Sequence, residues 1–314
     1  PGRGASLARL DAREVARLVV LLTAFAPMAF FFSAVYSESL YLALSVGVFL
    51  CARRGRWGLA ATCAALAGAT RSTGVVLALP LALLYLYGPR EDRPPERERA
   101  TALGTGQGTR VAVKGAAVLA RLRPRYGMRA DSLYILLVPV GLGLYMAHLA
   151  LAGGDALAPF HAQAVWGRHF AGPYGGVWDG LKAAWEGARQ LLSFQSAHLY
   201  YPVASGSPAI AAGHNLLALA FLLGAVVAVV GVLRLLPLAY GAYALGALAL
   251  PLSYPVASQP LMSLPRFLLV LFPLNIWLAV RLVARPRLAR ALLVASALAL
   301  AFFAAEFSTW HWVA

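Results

Sequence analysis

Seven apolar runs restrict this chain to one kind of surrounding. They are Leu18–Phe32, Leu40–Ala52, Leu133–Ala152, Leu216–Leu233, Leu235–Leu252, Phe267–Val280 and Ala291–Ala305. A helix crossing the hydrocarbon core of a bilayer needs about 20 apolar residues, and the shorter runs approach that length once their flanks are counted. Apolar residues make up 61% of the 314 and charged ones 12%, whereas soluble domains run nearer half and a quarter. A chain this apolar cannot cover its surface with polar groups in water. The expectation is an all-α, polytopic membrane protein with about seven spans.

The segment Trp57–Tyr87 reads differently. Two apolar stretches, Trp57–Ala69 and Val75–Tyr87, are broken by Arg71-Ser72-Thr73-Gly74. At about 1.5 Å per residue each covers about 20 Å, short of a core of about 30 Å. Two half-length helices meeting near Arg71 are expected, as a re-entrant pair beside the full spans.

The net charge of +15 would suggest nucleic acid in a soluble protein. Placed on the runs it reads as sidedness instead. With the N-terminal end cytoplasmic, segments 1–17, 53–56, 88–132, the turn at Arg234 and 281–290 hold 22 of the 27 Lys and Arg residues. Basic loops mark the cytoplasmic face, so the C-terminal end is expected outside and no nucleic-acid partner is expected. The five others are Arg71, Arg168, Lys182, Arg189 and Arg266. The chain opens on Pro1 in a polar, basic stretch without a signal-peptide pattern and is expected to be a fragment. Cys51 and Cys63 lie in or near the membrane, so neither a disulfide nor a metal pattern is expected from them.

The loops differ in character. Segment 88–132 is polar and rich in Pro, Gly and Arg at its start, and is expected to be partly disordered. Its Arg110–Arg129 part suits an anionic leaflet. The outer segment 153–215 has an amphipathic pattern over about 177–195. There Trp178, Leu181, Trp185, Ala188 and Leu192 share one face, against Asp179, Lys182, Glu186 and Arg189 on the other. That predicts a helix lying in the interface. Ahead of it, Pro159–Pro173 concentrates His161, Gln163, Trp166, Arg168 and His169. These side chains suit a sugar or a phosphate, and equally an aromatic anchor belt. No carboxylate or thiol accompanies the two histidines at ligand spacing, so a metal site there is not expected.

Three further features bear on chemistry. Ser33–Ser39 makes a tight outward connection in which Ser37 and Glu38 fit helix capping or a functional role. Arg at membrane depth costs about 2.5–3.5 kcal/mol on insertion scales. Arg71 therefore faces either backbone carbonyls or an anion held between helix ends. Ser253–Arg266 is an outward loop with Pro255, Pro260 and Pro265, ending at Arg266.

The order of these motifs resembles the glycosylphosphatidylinositol mannosyltransferase II (PIG-V-like) family. The resemblance rests on Ala26-Pro27-Met28-Ala29-Phe30-Phe31-Phe32-Ser33-Ala34-Val35-Tyr36-Ser37-Glu38-Ser39-Leu40-Tyr41 and on Ala69-Thr70-Arg71-Ser72-Thr73-Gly74 with Pro80. The Pro159–Pro173 run, Leu264-Pro265-Arg266-Phe267 with Phe272-Pro273, and Phe307…Trp312-Val313-Ala314 follow in order. The resemblance implies a GT-C type helix bundle in a bacterial plasma membrane. Such an enzyme moves a sugar, here mannose, with inversion from a polyprenyl-phosphate-sugar donor to a glycolipid or glycan acceptor on the extracytoplasmic side.

It also implies roles. Arg71 and Arg266 bind the donor phosphate. Tyr36, Ser37, His161, Gln163, Trp166 and Arg168 bind sugar or acceptor. Glu38 is a supporting carboxylate, and the catalytic Asp falls upstream of Pro1. Asp11, in the basic cytoplasmic stretch, is not that residue. No cofactor is firmly implied, and a divalent metal stays open. A transporter or lipid flippase, or an inactive relative, are the alternatives; the absence of a second half-helix pair and the long outer loop favour the transferase.

Overall fold

The computed structural model describes residues 11–95, 124–193, 200, 207–310 and 313. Residues 96–123 of the basic segment, 194–199 and 201–206 of segment 153–215, and Trp312 lie outside the described residues. The expectations of disorder and leaflet binding for the cytoplasmic loop fall mainly on that stretch.

The described chain is all-α. Its only β pairing among the described residues is a single bridge between Arg168 and Val256. Helix α1 (Ala12–Ala24) starts where the Asp11 side chain accepts from the Arg13 N–H at 2.9 Å, with Glu14 in its first turn. The run Leu18–Phe32 does not stay one helix. After Ala24 it turns, and a 3-10 turn spans Ala29–Phe32. Pro27 lies between, lacking an N–H and biasing its predecessor away from helix.

Next come α2 (Glu38–Arg53), α3 (Trp57–Thr70), a 3-10 turn (Ser72–Leu77) and α4 (Ala78–Tyr87). A 3-10 stretch (Ala130–Leu137) runs into α5 (Val138–Gly153). Then follow α6 (Ala158–Val165), α7 (Gly172–Ser193), α8 (Pro208–Leu235) and α9 (Leu238–Leu252). The last are α10 (Leu264–Leu269), α11 (Phe272–Leu282) and α12 (Pro286–Ser308). Thus the run Phe267–Val280 is divided between α10 and α11. Pro273 sits in the first turn of α11, where a missing N–H costs nothing.

Among the described residues, three helices are long and apolar enough to cross a membrane: Ala130–Gly153 with 24 residues, Pro208–Leu235 with 28 and Pro286–Ser308 with 23. The other apolar helices are shorter because prolines and turns cut them. In Pro286–Ser308 only 6% of the apolar window is buried. A helix that turns its apolar residues outward in this way needs a nonaqueous surrounding.

The chain divides into two compact units. The first comprises Pro1–Leu42, Met146–Leu236 and Ala244–Ala314, and the second Ala43–Tyr145 and Pro237–Tyr243. In the first, α1 packs on α11 through Leu18, Leu22, Ala279 and Leu282, with Ala289 closing the cluster. Asn275 Nδ2 donates to Thr23 Oγ1 at 3.0 Å within this contact. A second cluster joins Met28, Ala29 and Phe31 to Leu269 and Val313.

Helix α7 corrects a detail of the amphipathic reading. It begins at Gly172, earlier than expected, and it packs through its small residues. Gly172, Gly176, Gly180, Ala183, Ala184 and Gly187 are buried. A Cβ at Gly176 would strike the Leu252 backbone, and one at Gly187 would press on Ala212. The stripe of Trp178, Leu181, Trp185 and Leu192 stays exposed. Close backbone approach through glycine is how membrane helices gain packing without a hydrophobic driving force. The charged face ties itself together, with Arg189–Glu186 at 2.8 Å and Lys182–Asp179 at 4.0 Å.

In the second unit the chain reverses at Arg71. A Cβ at Gly74 would collide with the Ala67 carbonyl and the Gly68 nitrogen, so glycine is what lets the returning segment lie on α3. Gly141 of α5 meets the Ala65 backbone in the same way. Near the start of α3, the Arg90 side chain is fully buried and stacked among Trp57, Tyr85 and Tyr126, at 4.5, 4.8 and 5.0 Å. It donates to the Tyr85 carbonyl at 3.0 Å and to Asp92 at 2.7 Å. Tyr85 also hydrogen-bonds Asp131, which fastens residues on both sides of the basic stretch to α4. One cation of the 88–132 segment is therefore a packing element rather than a surface charge. Cys51 and Cys63 are free thiols.

Candidate functional site

The first unit gathers charged side chains where the Pro27–Tyr41 motif meets the two C-terminal motifs. The 3-10 turn buries Phe31, residues 33–37 run without regular structure, and α2 opens on Glu38. Phe31 and Tyr36 meet edge to face at 5.1 Å, and Phe307 of α12 packs against Phe30, Phe31 and Tyr36 at 5.1, 5.7 and 6.5 Å. Into this aromatic wall α10 delivers Arg266. Its guanidinium lies 5.2 Å from the Tyr36 ring, 5.4 Å from Phe267 and 5.5 Å from Phe31. Its Nε is 3.4 Å from Glu38 Oε1, with side-chain exposures of 20% and 2%.

Glu38 therefore does more than cap a helix. Its carboxyl group is buried and faces the Arg266 guanidinium. The ion pair also fixes the guanidinium plane, so Glu38 positions Arg266.

Arg168 lies between α6 and α7. Helix α6 ends at Val165, and Gly167 turns the chain with a φ of +65, a conformation glycine takes without strain. Residues 168–171 then lie along 253–256. The His169 N–H donates to the Pro255 carbonyl at 3.4 Å and the Ala171 N–H to the Ser253 carbonyl at 2.9 Å. Arg168 Nη1 donates to the Tyr254 carbonyl at 3.0 Å. Burial lowers the proton affinity of the Arg168 guanidinium, and the charge of Arg266 lowers it further.

The remaining candidates are placed as follows. Ser37 adjoins Tyr36, and its carbonyl accepts from the Tyr41 N–H at 2.9 Å. His161 stands on α6 with its Nδ1 2.9 Å from Asp155 Oδ2, both side chains largely exposed. That hydrogen bond holds the Asp155 carboxyl below the usual range. Gln163 Nε2 donates to the Pro159 carbonyl at 3.1 Å, and Trp166 is 55% exposed. Arg71 belongs to the second unit. It ends α3 in an extended conformation, its N–H donating to the Ala67 carbonyl at 2.9 Å. Among the described residues, no three His, Cys, Asp or Glu side chains converge as a metal site would need.

Tyr36, Glu38 and Arg266 are therefore brought together, while Arg168 is seated on the Tyr254 carbonyl and His161 and Gln163 are engaged locally. Sequence reasoning missed the aromatic wall of Phe31 and Phe307 and the backbone run 253–256 that seats Arg168. The signal for the second was the proline spacing of that loop, which leaves its carbonyls without helical partners. No family model, curated protein or solved structure matches this chain.

Proposed function

We propose that this chain is a multi-span membrane glycosyltransferase of the GT-C type, resembling the PIG-V-like mannosyltransferases. In this reading it moves a sugar from a polyprenyl-phosphate donor to a glycolipid or glycan acceptor on the extracytoplasmic side. About seven membrane passages and a re-entrant pair at Arg71 go with it, the N-terminal end facing the cytoplasm. The observation that carries it is Arg266, set against the buried Glu38 carboxylate and the faces of Tyr36 and Phe31.

In the reaction the acceptor hydroxyl attacks the anomeric carbon and the bond from that carbon to the phosphate oxygen breaks. The acceptor's proton goes to a carboxylate base. The lipid phosphate leaves with an added negative charge. Arg266 and Arg168 are suited to receive that charge, because preorganised cations stabilise a transition state where charge develops. Glu38 keeps Arg266 in place. Arg71 is an independent candidate cation at its helix break.

The test measures transfer of radiolabelled mannose from polyprenyl-phosphate-mannose in membranes carrying the full-length protein. Arg266→Gln and Arg168→Gln are each expected to lower the rate about 100-fold. Transfer at the unaltered rate in both variants would overturn the reading.

A further inference from the structure

Helix α7 presents three faces of different chemistry. At about 100° per residue, the buried residues Gly172, Gly176, Gly180, Ala183 and Gly187 fall on one side. Tyr174, Trp178, Leu181, Trp185 and Leu192 fall about 160° away from them and are 42% to 79% exposed. The charged residues flank this stripe and pair among themselves, Lys182 with Asp179 and Arg189 with Glu186. The helix as a whole carries no net charge.

The glycine face fixes where the helix lies. Gly176 bears on the Leu252 backbone at the end of α9, Gly180 on the Leu261 side chain, and Gly187 on Ala212 near the start of α8. Helix α8 has 28 residues, which makes it about 42 Å long, more than a hydrocarbon core of about 30 Å. Its first turns therefore stand at a bilayer boundary, and α7 touches them there. Just ahead of α7, the N–H groups of His169 and Ala171 donate to the carbonyls of Pro255 and Ser253. The 253–261 segment, which leads to Arg266 on α10, is thus held at two places by α7 and the strand of chain before it.

The stripe runs about 27 Å, and an exposed apolar patch of that length marks a surface with a partner. Its composition and depth select the partner. Trp and Tyr collect at the headgroup level because one end of each ring is apolar and the other polar. Two Trp and one Tyr stand in line here, facing away from the protein, where a span-length helix begins. The internal ion pairs leave no net attraction for anionic headgroups, so the contact is apolar.

We propose that α7 is a brace set in the bilayer, its Tyr174–Leu192 stripe packed into the headgroup–acyl boundary and its glycine face holding the 253–261 segment. The proposal rests on the membrane reading and is independent of the transferase chemistry.

The test uses the full-length protein with Cys51→Ser and Cys63→Ser, reconstituted in phosphatidylcholine vesicles. Spin labels are placed one at a time at Leu181→Cys, Trp185→Cys, Lys182→Cys and, on the exposed face of α12, Leu298→Cys. Collisions with oxygen are compared with collisions with a water-soluble nickel chelate. Oxygen is expected to dominate at Leu181, Trp185 and Leu298, and the preference to reverse at Lys182. Adding phosphatidylglycerol is expected to leave the ratios unchanged. A label at Ala257→Cys, exposed in the braced segment, is expected to gain mobility when Trp178→Ser and Trp185→Ser are combined.

Nickel dominating at Leu181 and Trp185 while oxygen dominates at Leu298 would overturn the proposal and leave the membrane reading standing. Nickel dominating at all three would overturn both. If neither reagent reaches Leu181 and Trp185, a second copy of the chain or another protein covers the stripe, and the leaflet assignment is wrong. Insertion that appears only with phosphatidylglycerol would overturn the apolar contact, and unchanged mobility at Ala257 would overturn the brace.

Discussion

Replacing Glu38 by Gln removes the charge that faces Arg266 while keeping the side chain's size. The carboxylate is 2% exposed and 3.4 Å from Arg266 Nε, whose side chain is 20% exposed. Removing one partner of a buried ion pair costs about 3–5 kcal/mol, because the other charge is left uncompensated. Two features reduce that figure here. Arg266 keeps some access to solvent, and the faces of Tyr36, Phe267 and Phe31 each offer a cation–π contact worth about 0.5–1 kcal/mol. The expected loss for Glu38→Gln is therefore about 2–3 kcal/mol. For a chain of this size that is a fall in Tm of about 5 °C or more. Thermal unfolding of the purified protein in detergent, followed by tryptophan fluorescence, reads it directly. The pair is isolated by a double-mutant cycle with Arg266→Gln, in which the double variant should be more stable than the two single losses combined. Strictly additive losses would mean that the two groups do not sense each other, and the positioning role of Glu38 would be wrong.

Two other outcomes follow from the second unit. Gly74→Ala places a Cβ against the Ala67 and Gly68 backbone, which cannot yield as a side chain can; it should cost about 3 kcal/mol or more and be seen as loss of folded protein on size-exclusion chromatography, whereas Gly143→Ala, whose Cβ meets nothing, should behave as the parent. The hydrogen bond from Arg90 holds the Asp92 carboxyl below its usual range. Its stabilisation is complete above the unfolded pKa of about 3.9 and is lost as pH falls through the lower folded value. Asp92→Asn should therefore lower Tm at neutral pH and flatten its decline below about pH 4. An unchanged acid profile would show that the Arg90–Asp92 pair carries none of it.

Much of the architecture was readable in the order of residues, since the features involved are local. Apolar runs predict helices, and helices form at each of them. The break at Arg71 falls where Arg-Ser-Thr-Gly interrupts the apolar stretch, because a close turn needs Gly74. Where the reading of the runs failed, the cause was also local but underweighted. Pro27 and Pro273 remove N–H donors inside apolar stretches, so Leu18–Phe32 and Phe267–Val280 each become two shorter pieces. On α7 the Trp and Leu stripe drew attention, although the buried contact is made by Gly176, Gly180 and Gly187. Hydropathy weighs side chains and is blind to a surface made by their absence.

Candidate residues divide along the same line. Sequence alone set five basic residues apart from the segments that hold the other 22, because that grouping is a matter of charge and hydropathy along the chain. It gave no sign of what each one faces. An arginine in an outward loop looks the same whether it meets a carboxylate, a ring, a carbonyl or another arginine. Only the tertiary structure set Arg266 against Glu38 and Phe31 from the opposite end of the chain, and seated Arg168 on the Tyr254 carbonyl beside it. The reason is physical. Helices and sidedness come from interactions between near neighbours and with the surrounding medium, whereas the desolvation and charge pairing of a site depend on which distant segments pack together.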